Sequence, residues 1–244
     1  MAGLFSRLAQ SGIKRGKFPR EPYHPVYFKR RVYGALWTQV FYFKPVYSVV
    51  LAIPVFKTWV MRLFGYENST DFTVYPDTWI RDLPCLKIGA GAYLSNRATI
   101  GTNICLADGH ILVDNVRVAE KGLIGHLAML APGAKVETGA EIGVGCSIGI
   151  RVSVKAGASV KPDCTINHGA VIGEGASIGT KTYLGLKCSI GAGLQIPAGA
   201  NIPNGAILLT QEDVNRFYSS ETKKLEETID GLAAILGQNS LHAS

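Results

Sequence analysis

From Ile88 onward every sixth residue is aliphatic, running through Leu94, Ile100, Leu106, Leu112, Val118 and Ile124 to Leu208, twenty-one positions in succession. Neither a single helix, with its 3.6-residue repeat, nor a single strand, with its repeat of two, sustains such a period. A stack of short strands joined by turns does, because each repeat buries its apolar side against its neighbours. Two residues before each aliphatic position the side chain is usually small, as at Ala92, Ala128, Cys146, Cys164, Ala170, Cys188 and Ala206. Those slots are expected to face the interior as well.

Three hexads close one triangular coil of eighteen residues, so the sequence predicts an all-β fold, a left-handed parallel β-helix. Roughly seven coils at about 4.8 Å give a prism about 33 Å tall. Glycine recurs just after the aliphatic position, at Gly89, Gly125, Gly149 and Gly173, with Asn167 in the same slot. These residues are expected to supply the tight corner conformations. The frame is least tidy over residues 105–118, CLADGHILVDNVRV, where a strict reading points His110 into the core. A loop leaving the coil is expected there, and loops of this kind border ligand grooves.

Charge is unevenly placed. Residues 1–44 hold nine Lys or Arg against the single acid Glu21, and the rest of the chain is close to neutral. The start, MAGLFSRLAQSGIKRGK, is basic and amphipathic without the apolar run of a secretory signal, a pattern that also fits a mitochondrial presequence. Five cysteines without a CxxC pair argue against a secreted disulfide scaffold or a zinc ribbon and for a reducing compartment. Cys146 and Cys164 should stack one coil apart. Inward cysteines are read as compact apolar filler, and a disulfide between these two is not expected in such surroundings.

The organisation expected is a basic arm over 1–34, an apolar aromatic helical segment over 35–66, the β-helix over 67–209, a helix over 210–237 and a tail over 238–244. In the helical segment Lys44 and Lys57 limit uncharged runs to roughly twelve residues, short for a spanning helix. Trp37, Tyr42, Tyr47 and Trp59 beside the basic FKRR fit residues 29–64 lying against an anionic membrane surface, or packing against a membrane-protein partner. The location expected is the cytoplasmic side of a membrane, or the matrix side of the mitochondrial inner membrane. No nucleic-acid-binding module is recognisable, so nucleic acid is not an expected partner. After Leu208 the period becomes helical, with Val214, Phe217, Leu225, Ile229, Leu232 and Ile235 on the apolar side and Thr210 with Asp213 opening the helix.

On the hexads, and on RGKFPREPYHPVYFKRRVYGALW, PVFKTWVMRLFGYE, DTWIRDLPCLKIGAGA and ADGHILVDNVRV, the chain resembles the hexapeptide-repeat acyltransferase superfamily. In arrangement it is most similar to the membrane-linked C-terminal domains of epsilon-poly-lysine-synthetase-type peptide synthetases, over roughly residues 13–209. No adenylation or carrier domain accompanies these segments. The resemblance therefore implies an acyl or aminoacyl group arriving as a thioester on coenzyme A or on a separate carrier protein.

The resemblance further implies a homotrimer with sites between prisms, where a His takes the proton of an attacking amine or hydroxyl and a backbone N–H holds the oxyanion. His168, two after the inward Ile166, faces outward near a corner and is the expected base, with Asn167 orienting it or the acceptor. His126 occupies the same slot of another hexad, two coils and one face away, and is a secondary candidate. Arg151, Lys155, Lys161, Lys181 and Lys187 are the cations expected to meet donor phosphates. The alternative for each is an outward side chain of a structural coil.

Two further readings come from other classes. GTNI at 101–104 and IGHLAML at 124–130 are similar to segments of the γ-carbonic anhydrases, which implies zinc held by histidines such as His110 and His126. Ala131 stands where that family has its second His. A catalytically silent trimeric scaffold of a membrane complex is the other reading.

Overall fold

The computed structural model describes residues 2–218. Residues 73–208 form a parallel β-helix of three seven-stranded sheets, here faces I, II and III, each strand lying over its equivalent in the next coil. On face II, Leu130, Ile148, Ile166 and Leu184 lie in register, one above another. Each two-residue strand puts one side chain outward and the next inward, and the inward aliphatics are buried. Burying a Val, Leu or Ile side chain stabilises by about 1.5–3 kcal/mol, so the column of aliphatics is the main source of cohesion.

Two of the twenty-one periodic positions do not belong to the coil. Ile88 pairs with Val118, thirty residues on, whereas Arg117 pairs with Lys135, eighteen on. The surplus is an antiparallel hairpin of Asn103–Cys105 and His110–Val113, joined by a third strand, Gly16–Pro19, from the N-terminal arm. Leu106 and Leu112 therefore lie in the excursion, and His110 is kept out of the core. Because the surplus equals two hexads, the period passes through without a break. Val74 and Ile80, ahead of the periodic run, complete the first coil on faces I and II.

The glycines just after the aliphatic position do not make the corners. The left-handed backbone at the corners falls three residues after the aliphatic position, at Gly91, Gly139, Gly157, Gly169 and Gly175, and is also adopted by Arg97, Lys121, Leu127, Arg151, Asp163, Lys181 and Lys187. The glycines just after the aliphatic position answer a different demand. A Cβ on Gly173 would lie 2.4 Å from the Gly191 carbonyl carbon, and one on Gly125 2.7 Å from that of Gly143. Coils approach too closely there for any side chain.

The small slots are buried as expected save Ala206, near the end of the coil, which is half-buried, and the five cysteines are free thiols. Cys146, Cys164 and Cys188 do more than fill space. Their S–H groups donate to the carbonyls of Lys161, Gly179 and Pro203 at 3.1, 3.0 and 2.9 Å, and Thr182 donates in the same way to Pro197 at 3.1 Å.

Four helices precede the coil: α1 (Ala2–Ala9), α2 (Pro25–Tyr42), α3 (Lys44–Ala52) and α4 (Pro54–Leu63). Proline opens the last three, where its missing N–H has no helical partner to lose. Within the stack, inward carbonyls accept from the coil beneath, as Ile166 does from the Gly149 N–H. The first coil has none beneath it. Side chains around the helices replace it: Trp37 Nε1 donates to Ile80 O at 2.7 Å, Tyr66 Oη to Ile88 O at 2.9 Å, Lys57 Nζ to Phe72 O at 2.7 Å and Asn68 Nδ2 to Leu86 O at 3.1 Å. Each buried carbonyl left without a donor would cost about 1–3 kcal/mol, so the helices close an otherwise open sheet edge.

This arrangement also corrects the membrane-facing aromatics. Trp37 and Tyr47 are core residues, with Trp37 packed edge-on against Phe64 and Tyr47, while Tyr42 and Trp59 are exposed. Arg30 of the FKRR stretch is buried as well. Its guanidinium pairs with the fully buried Asp82 and donates to Asn103 Oδ1 at 2.7 Å, and Thr102 Oγ1 donates to Asp82 at 2.6 Å. The basic stretch thus ties α2 to the root of the hairpin.

At the far end a helix covers 211–218. The Thr210 hydroxyl accepts the Asp213 N–H at 3.1 Å, and Asp213 accepts the N–H groups of Thr210 and Leu209. Val214 is buried, and Gln211 exchanges hydrogen bonds with the Gln195 backbone on the last coil. The later apolar positions, Leu225 to Ile235, lie outside the described residues.

Candidate functional site

Residues two after the inward aliphatic form columns along the edges of the prism. On the edge between faces II and III the column is Asp114, Pro132, Ile150, His168, Leu186 and Asn204. Beside it runs a second column, Asn115, Gly133, Arg151, Gly169, Lys187 and Gly205, in which each backbone N–H from Gly133 onward bonds to the coil below and that of Asn115 to Asp114 Oδ1. His168, Arg151 and Lys187 therefore share one edge on successive coils, about 4.8 Å apart along the axis. Lys155 stands on the edge between faces III and I, and Lys161 on that between I and II. The expected set of cations is split over three edges, and Lys181 falls with Lys161.

His168 is exposed, but its ring is fixed. Nδ1 accepts the Ile150 N–H from the coil below at 2.9 Å. Gly149 makes room, since a Cβ there would lie 2.6 Å from that nitrogen. In a neutral imidazole with Nδ1 accepting, Nε2 carries the proton. In that form the outward atom is a hydrogen-bond donor. Asn204 does the same for Leu186, its Oδ1 accepting the N–H at 2.7 Å. Asn167 does not orient His168, because its amide Nδ2 is committed to Leu184 O at 2.9 Å.

His126 is half-buried on the edge between faces I and II, so one chain does not bring it to His168. His110 stands on the hairpin with Nδ1 3.2 Å from Asp108 Oδ1. The Lys17 ammonium and the His110 backbone N–H hold the Asp108 carboxyl down at about 2. Among the described residues no group of three or more His, Cys, Asp or Glu is placed to hold a metal. Within one chain His110, on the hairpin, and His126, on the edge between faces I and II, are not brought together.

A groove of about 420 Å³ lies on face III beside the His168 edge, lined by Arg15, Lys87, Asp114, Asn115, Arg117, Gly133, Lys135, Arg151 and Ser153. Lys87, Arg117 and Lys135 are outward residues of three successive strands and stack directly. Like charges placed opposite one another repel. Nearby carboxylates offset only part of this: Asp114 accepts from Arg15 Nε at 2.8 Å with Arg151 Nε at 3.5 Å, and Glu137 lies 3.7 Å from Arg117. Five cations against these two carboxylates leave an excess of three positive charges. A second cavity of about 490 Å³ shares Lys87 and Arg117 and extends to Asn68, Glu120 and Thr138. Of this groove only Arg151 was expected. The signal for the rest was the eighteen-residue spacing of Arg117, Lys135 and Ser153, in the slot before the aliphatic.

No protein family matches the sequence, and no curated protein does. Among solved structures the chain is similar to the UDP-N-acetylglucosamine acyltransferase of Francisella novicida, at 13% identity and a TM-score of 0.29, over 59% of this chain and 62% of that one. It is also similar to a Bacillus cereus protein proposed to be an acetyltransferase, at 21% identity and a TM-score of 0.24, over 58% of this chain and 88% of that one. Neither likeness assigns a reaction to this chain.

Proposed function

We propose that this protein transfers an acyl group from a phosphate-bearing thioester, on coenzyme A or on a carrier protein, to an amine or hydroxyl. The observation that carries this reading is the groove with its uncompensated cations, set beside the edge on which His168 presents Nε2–H. Lys87, Arg117, Lys135, Arg15 and Arg151 hold the donor's phosphates, since charge-assisted hydrogen bonds are the strong ones. The acceptor attacks the thioester carbon, its carbonyl oxygen becomes the oxyanion, and His168 Nε2–H donates to that oxygen. The new C–N or C–O bond forms, the C–S bond breaks, and the acceptor's proton leaves with the thiolate.

The proposal includes the homotrimer. Leu127, Met129, Val144, Tyr183 and Leu186 are exposed apolar side chains on face II and its two edges. Packing of that face around a threefold axis would set the His126 edge of one copy against the His168 edge of the next, a ring-closing contact.

Calorimetry of the full chain with coenzyme A and with dephosphorylated pantetheine, followed by thiol release from acetyl-coenzyme A with an amine acceptor, tests this. Coenzyme A should bind and pantetheine should not. Lys135→Gln should weaken binding about tenfold or more, with Tm unchanged or higher because a stacked like charge is gone. Equal binding of the two compounds, or of neither, would overturn it.

A second reading, the silent scaffold, is favoured by the equivalence of His168 and Asn204 as acceptors of a backbone N–H. Under it coenzyme A gives no thermal shift and no thiol is released.

A further inference from the structure

The α3 and α4 pair is apolar on the wrong side for a soluble helix pair. Both of its lysines turn toward the prism: Lys44 Nζ donates to Pro76 O at 2.6 Å, and Lys57 Nζ to Phe72 O at 2.7 Å. Burial pulls the Lys57 ammonium below its ordinary pKa, as expected of a cation held inside. Val46, Val49, Ile53, Val55, Phe56 and Trp59 face outward, with Val55 72% and Trp59 63% exposed. Apart from Arg62 at the end of α4, the charges of the pair lie on its inner face.

The two helices meet at 115° across Ile53, and no single helix among the described residues is long and apolar enough to cross a membrane. The bend turns two short stripes into a V-shaped plate too wide for the single apolar stripe of a core helix. Exposed cations border the helical cap: Arg7 on α1 and Arg62 at the end of α4 line one cavity, where they outnumber its one acid, Glu67, and Arg31 lines another with Phe28 and Val32. Leu4, Phe5 and Leu8 on α1 add exposed apolar surface, and α1 is fastened to α4 by Ser6 and Gln10, which both donate to Leu63 O.

We infer that the α3–α4 plate is a monotopic membrane-docking surface, lying in the interface of an anionic bilayer with its outer face in the acyl boundary and Arg7, Arg31 and Arg62 at the headgroups. Lipid is favoured over a protein partner by the composition of the two sides. Aliphatic and aromatic side chains fill the plate and arginines border it, the pattern of a surface lying in the interface of an anionic bilayer. The inference is independent of the acyl-transfer reading.

Co-sedimentation of the full chain with vesicles of phosphatidylcholine alone, and with a third of phosphatidylglycerol added, tests it. Binding is expected to the anionic vesicles, and the double variant Val55→Glu, Phe56→Glu should reduce it at least tenfold with Tm unchanged. Arg62→Gln should lower binding to anionic vesicles and leave the response to neutral ones the same. Absence of binding to either vesicle, or equal binding by the Glu variant, overturns the inference. If the wild type ignores vesicles while the Glu substitutions change its oligomeric mass, a second copy covers the plate and lipid does not.

Discussion

His168 Nδ1 accepts the Ile150 N–H at 2.9 Å, and Asn204 Oδ1 serves Leu186 in the same way two coils further along the same column. A histidine and an asparagine thus do one structural job at equivalent slots, and the histidine's second nitrogen, Nε2–H, stands one bond further from the backbone than the amide Nδ2 of an asparagine. His168→Asn should therefore keep the bond and leave stability within about 0.5 kcal/mol of wild type, while His168→Ala loses about 1 kcal/mol. Thermal denaturation beside a thiol-release assay separates the roles. Acyl transfer predicts that both variants lose activity, and a His168→Asn enzyme at full rate would remove His168 from the chemistry.

The two classes of glycine predict two sizes of effect. Gly157 has φ +63° with nothing within 4 Å of a new Cβ, so Gly157→Ala should cost about 1 kcal/mol of backbone strain. Gly173→Ala instead drives a methyl into the Gly191 backbone and should cost about 3 kcal/mol or more by urea denaturation.

Arg30 and Asp82 are buried together at the root of the hairpin. Arg30→Ala should destabilise by about 3–5 kcal/mol, because it strands a buried carboxylate. The double variant Arg30→Met, Asp82→Asn should lie closer to wild type than either single change. A double-mutant cycle in urea measures the difference, and additive losses would show that the two side chains act separately.

Two tryptophans that read alike in the sequence should respond oppositely. Trp37→Ala removes a core ring and the donor to Ile80, a loss of about 3–5 kcal/mol. Trp59→Ala, at the exposed plate, should leave Tm where it was.

Self-association is checked at face II. Met129→Glu with Tyr183→Glu should convert a trimer to monomers in light scattering, and an unchanged mass would exclude this face as the contact.

The coil was legible because its physics repeats: inward Ile, Leu and Val every sixth residue, with Ala or Cys two before. The capping pair Thr210 and Asp213 was legible for the same local reason. What the period could not show was depth. Trp37 and Trp59 both sit in apolar helical sequence, and only the unpaired carbonyls of the first coil decide which one is drawn inside. Three repeats of Pro-Val-aromatic or Pro-Val-Tyr, at Pro25, Pro45 and Pro54, marked three helix starts that a reading for uncharged runs passes over. The basic groove was hidden because its members are 18 or 30 residues apart, and the 30 required knowing that the hairpin leaves the coil.

That hairpin behaves as a removable cassette. Its surplus over one coil is twelve residues. Excising residues 102–113 would join Gly101 to Asp114 with Ile100 and Val118 six apart, and every remaining inward side chain would keep its phase. An uninterrupted prism is thus one splice away. The cost falls elsewhere: Thr102 and Asn103 would no longer hold Asp82 and Arg30, and the Gly16–Pro19 strand would lose the surface that brings Arg15 over the groove. The excursion is dispensable to the solenoid and indispensable to what the N-terminal arm has been built to reach.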